Sequence, residues 1–146
     1  MSTSHFSLPE EFHTPLKQIA VAKSFSARRL LFQKGDPVQG VYLIQTGRVA
    51  LSLVNVPGLP PRIVGSGALL GLPSTIGGRP YSFTAEALEP VEAGFIPREE
   101  FMMLLKQYPG LCLALVQGLA WEITEARQQA SELLEGHFSG QAGRIL

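Results

Sequence analysis

This sequence has few charged residues and no excess of either sign. Only 16% of its 146 residues are charged, and 12 Lys and Arg residues balance 12 Asp and Glu residues. A chain without an excess of cationic residues is poorly suited to binding nucleic acids, because it cannot displace the counterions of many phosphates. The 45% of hydrophobic residues also excludes a highly charged disordered chain. We therefore expect one globular domain with a sizeable core.

Cysteine, metal and membrane signals are scarce as well. The single cysteine, Cys112, excludes an internal disulfide, and its leucine neighbours indicate a buried, inert thiol. His5, His13 and His137 lack metal-ligand spacing, and no nucleophile-elbow motif indicates an enzyme. No apolar run is long enough to span a membrane, and no signal peptide is visible. We expect a cytoplasmic protein that is not an enzyme and binds no metal and no membrane.

Turn-forming residues are concentrated in the middle of the chain. No glycine precedes Gly35, and most of the 15 glycines and 11 prolines lie within residues 34–110. This distribution predicts a helical opening, a turn-rich β centre and a long helix at the end. The opening helix is predicted over residues 10–22, with Thr14 and Pro15 as its cap and first turn.

The central segment contains short runs that are rich in β-forming residues. The dipeptide Thr46-Gly47 predicts a two-residue hairpin between two of these strands, and the second of them alternates so that one face is more buried. Several short strands separated by turns indicate a small antiparallel barrel or sandwich. The predicted strands are Arg29–Gln33, Val41–Gln45, Arg48–Val54, Arg62–Val64, Tyr81–Leu88 and Val91–Ile96.

Two helices are predicted after the strands. The first begins at Pro97 and ends near Tyr108, and Pro109-Gly110 separates it from a second helix that ends near Glu135. Apolar residues recur in the second helix at alternating spacings of three and four, which is typical of a self-pairing seam and favours a homodimer. The alternative is that this helix packs on its own barrel. The seam residues are Val116, Leu119, Ile123, Ala126, Ala130 and Leu133.

The order of these motifs resembles the cyclic-nucleotide-binding domain of Crp/Fnr-type bacterial transcription regulators over roughly residues 10–135. The resemblance implies a mainly β fold with flanking helices, a double-stranded β-helix or jelly roll, and a long C-terminal dimerisation helix. It rests on Leu30-Leu31-Phe32, Gly35-Asp36, Val41–Ile44, Gly47-Arg48-Val49, Gly65–Gly67, Gly71, Pro80, Thr84–Ala87, Ile96–Phe101 and Pro109.

The resemblance also implies a division of the chain into four parts. Residues 1–22 form an N-terminal segment and helix, and residues 23–108 form the jelly roll with a short following helix. Residues 109–136 form the dimerisation helix. Residues 137–146, which end in Gly143-Arg144-Ile145-Leu146, resemble a hinge and the start of a DNA-binding domain that is absent from this chain. DNA binding is therefore expected only through that absent domain.

In this family a phosphate-binding cassette would cover residues 70–84. Nucleotide-binding members carry a Glu where this chain has Leu72, and an Arg that pairs with the phosphate where it has Tyr81. Losing that Arg removes a contact worth about 1.5–3 kcal/mol, and Pro73 removes a backbone donor. Arg79 could substitute for the missing phosphate-pairing Arg, although the favoured interpretation is that Arg79 is a solvated turn residue. Cyclic AMP is therefore possible but disfavoured.

The predicted ligand contacts are glycine, apolar or neutral polar residues. A Tyr81 hydroxyl in the anion site would leave the pocket permanently occupied, and Ser74, Ser82 and Thr84 could equally bond to nearby backbone. Ala126 and Arg127 match positions that face the purine in relatives that respond to cyclic AMP. The candidate ligand-binding residues are Gly71, Leu72, Pro73, Ser74, Tyr81, Ser82 and Thr84.

Together these features predict the effector-sensing and dimerisation domain of a Crp/Fnr-type transcription regulator. No resident cofactor is expected, and the small-molecule effector is unknown. The alternative is a degenerate domain that binds no ligand and acts as a dimeric interaction scaffold.

Overall fold

The structure, a computed structural model, describes residues 10–52 and 60–117. A 3-10 turn, Glu10–Phe12, leads into the first helix. The helices are α1 (His13–Ile19), α2 (Leu72–Gly77), α3 (Arg98–Gln107) and α4, whose described residues are 109–117. The strands are β1 (Val21–Phe25), β2 (Leu30–Phe32), β3 (Gly40–Thr46), β4 (Val49–Ser52), β5 (Arg62–Val64), β6 (Leu69–Leu70), β7 (Thr84–Ala87) and β8 (Val91–Pro97).

The described strands form two four-stranded antiparallel sheets. The first has the order β1-β8-β3-β6 and the second the order β2-β7-β4-β5. Both sheets contribute to one apolar cluster, which lies between them and includes Ile44 from the first sheet and Val49 from the second. This architecture confirms the prediction of a mainly β fold with flanking helices that resembles a jelly roll.

A second apolar cluster lies under the helices. Successive side chains of a strand point to opposite faces, and β3 uses both: Val41 and Leu43 pack with the helices, whereas Tyr42 and Ile44 lie between the sheets. Leu16 of α1 and Phe101 of α3 are fully buried in the helix-side cluster. At β3 the first sheet is therefore covered on both faces, which explains the run of buried residues in this strand.

The hairpin predicted at Thr46-Gly47 is wrong. β3 and β4 lie in different sheets, so the chain crosses from one sheet to the other at this point. Gly47 has φ 95°, and a Cβ there would lie 2.5 Å from the Pro90 carbonyl oxygen. The predicted alternation in β4 is also wrong, because Val49 and Ala50 are both buried.

The predicted opening helix is too long. It ends at Ile19, its N-cap is Phe12 rather than Thr14, and residues from Val21 form β1 instead. β1 is an exposed strand that pairs with β8 some seventy residues later, with Val21 opposite Phe95. Neither β1 nor β6 was predicted, because the pairing partners of both strands are remote in sequence.

The junction between α3 and α4 differs in detail from the prediction. Pro97 is the N-cap of α3 rather than part of its first turn, and Pro109 begins α4 rather than separating the helices. Proline suits this position, because the first helical residues lack intrahelical partners for their N–H groups. The helix therefore restarts directly after Tyr108.

Cys112 is exposed, so the prediction of a buried thiol is wrong. Leu111 and Leu115 are the residues of α4 that pack into the helix-side cluster, while Leu113 and Val116 are 62% and 59% exposed. Of the predicted seam, Val116 is described. Leu119, Ile123, Ala126, Ala130 and Leu133 lie outside the described residues, as do Trp121 and Arg127.

Candidate ligand site

Helix α2 occupies the place predicted for the phosphate-binding cassette. Its N-cap is Gly71, which adopts a left-handed conformation with φ 84°. A Cβ on Gly71 would lie 2.9 Å from a ring carbon of Tyr81 and 3.2 Å from the Gly40 carbonyl oxygen. Glycine is thus required both by the backbone conformation and by the tyrosine ring that packs against it. Tyr81 therefore lies directly beside the start of α2.

The Tyr81 hydroxyl is bonded to the backbone that precedes and begins β3. It donates to the Gly40 carbonyl oxygen at 2.7 Å. It also accepts from the Gln39 and Gly40 amides at 3.2 Å each. The backbone of Tyr81 is bonded as well, since its amide donates to the Asp36 carbonyl and its carbonyl accepts from the Gly35 amide. The Tyr81 side chain is consequently fixed at both ends.

An aromatic cluster surrounds Tyr81. The ring stacks on Phe32 with 4.0 Å between centroids and 14° between planes. Phe32 also contacts Tyr42 and Phe83. Burial, with a smaller contribution from Tyr81, raises the pKa of Tyr42 to about 12. Both tyrosines are buried, and this end of the inter-sheet core is predominantly aromatic.

Leu72 and Tyr81 do not meet in one pocket. Leu72 packs in the helix-side cluster with Phe101, whereas Tyr81 and Phe83 lie in the cluster between the sheets. Leu72 and Tyr81, both predicted to contact one ligand, thus lie in different apolar clusters. Leu72 is the first residue of α2, and the geometry of that helical turn sets the direction of its side chain. Sequence spacing alone did not reveal this direction.

The hydroxyls of Ser74 and Thr84 bond to backbone, whereas the buried Thr75 hydroxyl has no hydrogen-bond partner among the described residues. The Ser74 hydroxyl donates to the Pro80 carbonyl at 3.1 Å, and the Thr84 hydroxyl accepts from the Lys34 amide at 3.0 Å. Ser82 is exposed and lies outside both clusters. Pro73 and Arg79 are exposed too, and the Arg79 amide donates to the Ser74 carbonyl as α2 ends.

A small cavity opens beside Tyr81. Its volume is about 160 Å³. Among the described residues of its wall, Tyr81 is the one predicted ligand-binding residue and Asp36 is the one carboxylate. The lining residues are Leu31, Phe32, Asp36, Pro37, Gln39, Tyr42 and Tyr81.

A chain of hydrogen bonds joins this region to α3, and sequence reasoning missed it. The Gln39 carbonyl accepts from the Arg98 amide at 2.9 Å, at the first residue of α3. The Arg98 Nε donates to the Thr75 carbonyl of α2 at 2.7 Å. Residues 39 and 40 thus contact both Tyr81 and the start of α3. The turn formers Gly35-Asp36-Pro37 were the only sequence signal near them.

Two further features bear on ligand chemistry. Within residues 10–52 and 60–117, no group of three His, Cys, Asp or Glu residues is placed to bind a metal ion. In the same part of the chain, no helix combines the length and apolarity needed to cross a membrane.

A family model described as the cyclic nucleotide-binding domain matches residues 22–108. The chain is 29% identical over 117 residues to the global nitrogen regulator of a Synechocystis species, an alignment that covers 77% of this chain and 52% of that protein. It is 29% identical over 118 residues to the cyclic AMP receptor protein of Thermus thermophilus, covering 75% of this chain and 55% of that protein.

Among solved structures, the chain is similar to the Thermus thermophilus catabolite activator protein. The TM-score is 0.73 at 25% identity, and the match covers 87% of this chain and 61% of the other. The chain thus spans about half the length of the curated relatives that it matches.

Proposed function

This chain belongs to the cyclic nucleotide-binding domain family and is of the Crp/Fnr regulator type, and we propose that it is an effector-sensing domain that does not bind cyclic AMP. Its role in this proposal is that of a sensor and dimerisation module rather than an enzyme.

The observation that carries the proposal is the position of Tyr81. In relatives that bind cyclic nucleotides, the resemblance places a phosphate-pairing Arg here. Tyr81 has no positive charge, and its hydroxyl already has three backbone contacts within 3.2 Å, to Gln39 and Gly40. A phosphate beside α2 would have to be desolvated without a charged partner from this position, which is unfavourable.

The position of Leu72 supports the same conclusion. The matching Glu of nucleotide-binding relatives contacts the ribose. Leu72 is 6% exposed and packs with Phe101 under the helices. Neither of the two side chains that would fix a cyclic nucleotide is therefore available to it.

The cavity beside Tyr81 is itself too small to hold a nucleotide. Pockets that bury drug-sized ligands are typically about 300–1,000 Å³, whereas this cavity has about 160 Å³. A whole nucleotide would require Tyr81 and its neighbours to move apart. A ligand about the size of one ring requires no such change.

A second candidate function is a scaffold that binds no ligand. The satisfied hydrogen bonds of Tyr81, Ser74 and Thr84 favour it, because a side chain with internal partners gains little from a ligand. The two candidates differ in whether any small molecule binds saturably. Under both candidate functions, cyclic AMP does not bind.

Isothermal titration calorimetry of the full chain with cyclic AMP and cyclic GMP tests the proposal. We expect no saturable heat from either nucleotide. The Thermus thermophilus cyclic AMP receptor protein, which its name identifies as a binder, provides a positive control in the same buffer. Saturable one-site binding of cyclic AMP to this chain at micromolar concentration would overturn the proposal.

A further inference from the structure

Helix α2 is too short to fix its own position. It has six residues, and Gly77 is one of them. Isolated helices shorter than about 12–15 residues are marginal in water, and a glycine lowers their stability further. The position of α2 therefore depends on the contacts that it makes with the rest of the domain.

These contacts hold α2 at both ends. At its start, the Tyr81 ring packs so closely that a Cβ on Gly71 would lie 2.9 Å from a ring carbon. Towards its end, the Arg98 Nε donates to the Thr75 carbonyl at 2.7 Å. The same guanidinium lies beside the C-cap, because a Cβ on Gly78 would be 3.1 Å from one of its terminal nitrogens. Tyr81 thus anchors one end of α2 and Arg98 the other.

The two anchors are joined to each other through the start of β3. The Tyr81 hydroxyl bonds to the backbone of Gln39 and Gly40, and the Arg98 amide donates to the Gln39 carbonyl at 2.9 Å. Gly40 also packs on the strand that leads into α3, because a Cβ there would collide with the Ile96 carbonyl oxygen. The contacts form a closed loop that runs from Tyr81 through residues 39 and 40 to Arg98, and back to Tyr81 through α2.

Tyr81 itself has no freedom to follow a movement of α2. Its amide donates to the Asp36 carbonyl at 3.0 Å, and its carbonyl accepts from the Gly35 amide at 2.8 Å. Its ring is stacked on Phe32. Its hydroxyl donates once and accepts twice, so that its donor and acceptor sites are all occupied. Tyr81 is therefore a fixed point in the loop of contacts.

We propose that Tyr81 is a built-in latch, whose hydroxyl holds residues 39 and 40 and thereby fixes α2 relative to α3 without any ligand. An effector that moves α2 against α3 must release the Tyr81 hydroxyl from the Gln39 and Gly40 amides. This proposal goes beyond the proposed function, because the latch is present whether the domain is a sensor or a scaffold.

The test is native-state amide hydrogen exchange of the full chain, resolved by residue with NMR. Tyr81→Phe removes the hydroxyl and retains the ring. We expect the Arg98 and Thr75 amides to exchange at least about tenfold faster, because both lie on the loop of contacts. Tyr108→Phe, at the exposed end of α3, is the matched control and should change neither rate. Faster exchange confined to the Gln39 and Gly40 amides would overturn the proposal.

The reciprocal variant is Arg98→Met, which breaks the loop at its other anchor. We expect the Gln39 and Gly40 amides, which donate to Tyr81, to exchange several-fold faster. This measurement also tests the latch if Tyr81→Phe does not fold. Unchanged exchange of both amides would show that the two anchors are independent.

The double variant shows whether the two anchors act as one unit. Once one anchor of a closed loop is broken, breaking the other should add little. We therefore expect exchange of the Thr75 amide to accelerate by less than the product of the two single effects. An acceleration equal to that product would contradict the latch. These measurements contain no ligand, so their outcome is independent of the cyclic AMP titration.

Discussion

The Tyr81 hydroxyl bonds to backbone at the position where the resemblance places a phosphate-pairing Arg. Because it contacts two amides and one carbonyl of residues 39 and 40, Tyr81→Phe would leave buried backbone groups without these partners. We expect the free energy of unfolding to fall by about 1–3 kcal/mol, as measured by urea denaturation. Tyr108→Phe is the matched control, since Tyr108 is 40% exposed. Equal stability of the Tyr81 variant and the wild type would show that these hydrogen bonds contribute nothing.

Tyr42 gives the fold a pH dependence in the alkaline range. Burial and the neighbouring Tyr81 raise its pKa from 10.0 to about 12, so folding favours the protonated phenol. The resulting stabilisation is complete below pH 10 and is lost as the pH rises towards 12. We expect Tyr42→Phe to reduce this alkaline loss in denaturant titrations at several pH values. An identical pH profile in the variant would contradict the assignment.

A variant of Leu72 tests whether the side chain at this position points into the helix-side cluster. Leu72→Glu would place a carboxylate in the helix-side cluster beside Phe101, and we expect a loss of at least about 3 kcal/mol in unfolding free energy. Ile76→Glu on the same helix is the control, because Ile76 is 37% exposed and should tolerate the change. A stable Leu72→Glu variant that gained affinity for cyclic AMP would show that this side chain points towards a nucleotide pocket.

At the scale of elements, local sequence patterns located most strands but not their partners. Strands β3, β5 and β8 lie close to their predicted positions, because short apolar runs between turn formers were visible. The hairpin at Thr46-Gly47 was wrong because a hairpin and a crossing between sheets use the same glycine conformation. In the structure the Gly47 backbone packs closely against Pro90, more than forty residues away, a contact that local sequence does not reveal.

The link between α2 and α3 depends on Arg98. Its guanidinium Nε donates to the Thr75 carbonyl, a charge-assisted bond near the C-terminal end of α2. Arg98→Met keeps most of the aliphatic length and removes the donor. We expect the amides of α2 to exchange with deuterium about tenfold faster, which corresponds to about 1.4 kcal/mol.

A matched control for Arg98→Met is Lys106→Met, which removes an exposed cation from the last turn of the same helix. Its α2 amides should exchange as in the wild type. Unchanged exchange in Arg98→Met as well would contradict a mechanical link between α2 and α3.

At the scale of the whole molecule, the predicted dimer depends on the seam of the last helix. Leu113 and Val116 expose apolar surface in the described part of that helix. We expect wild type to sediment at twice the chain mass of 15.8 kDa, and Leu119→Glu with Ile123→Glu to sediment at that mass. Glu122→Gln, off the seam, should remain dimeric. An unchanged mass in the double variant would refute the seam.

The candidate site was only partly predictable from the sequence. The absence of an Arg at Tyr81 could be read directly, because it is a matter of residue type. The contacts of Tyr81 with residues 39 and 40, and the cavity that includes Asp36, could not be predicted, because they depend on how segments remote in sequence meet. The same holds for Cys112, whose exposure depends on which face of α4 packs against the helix-side cluster.

The most direct test of the central claim is a crystal structure of the full chain grown with excess cyclic AMP. We predict that the Tyr81 hydroxyl stays within hydrogen-bond distance of the Gln39 and Gly40 backbone, with no nucleotide beside α2. A cyclic phosphate bound at the start of α2, with Tyr81 displaced from those amides, would contradict the account.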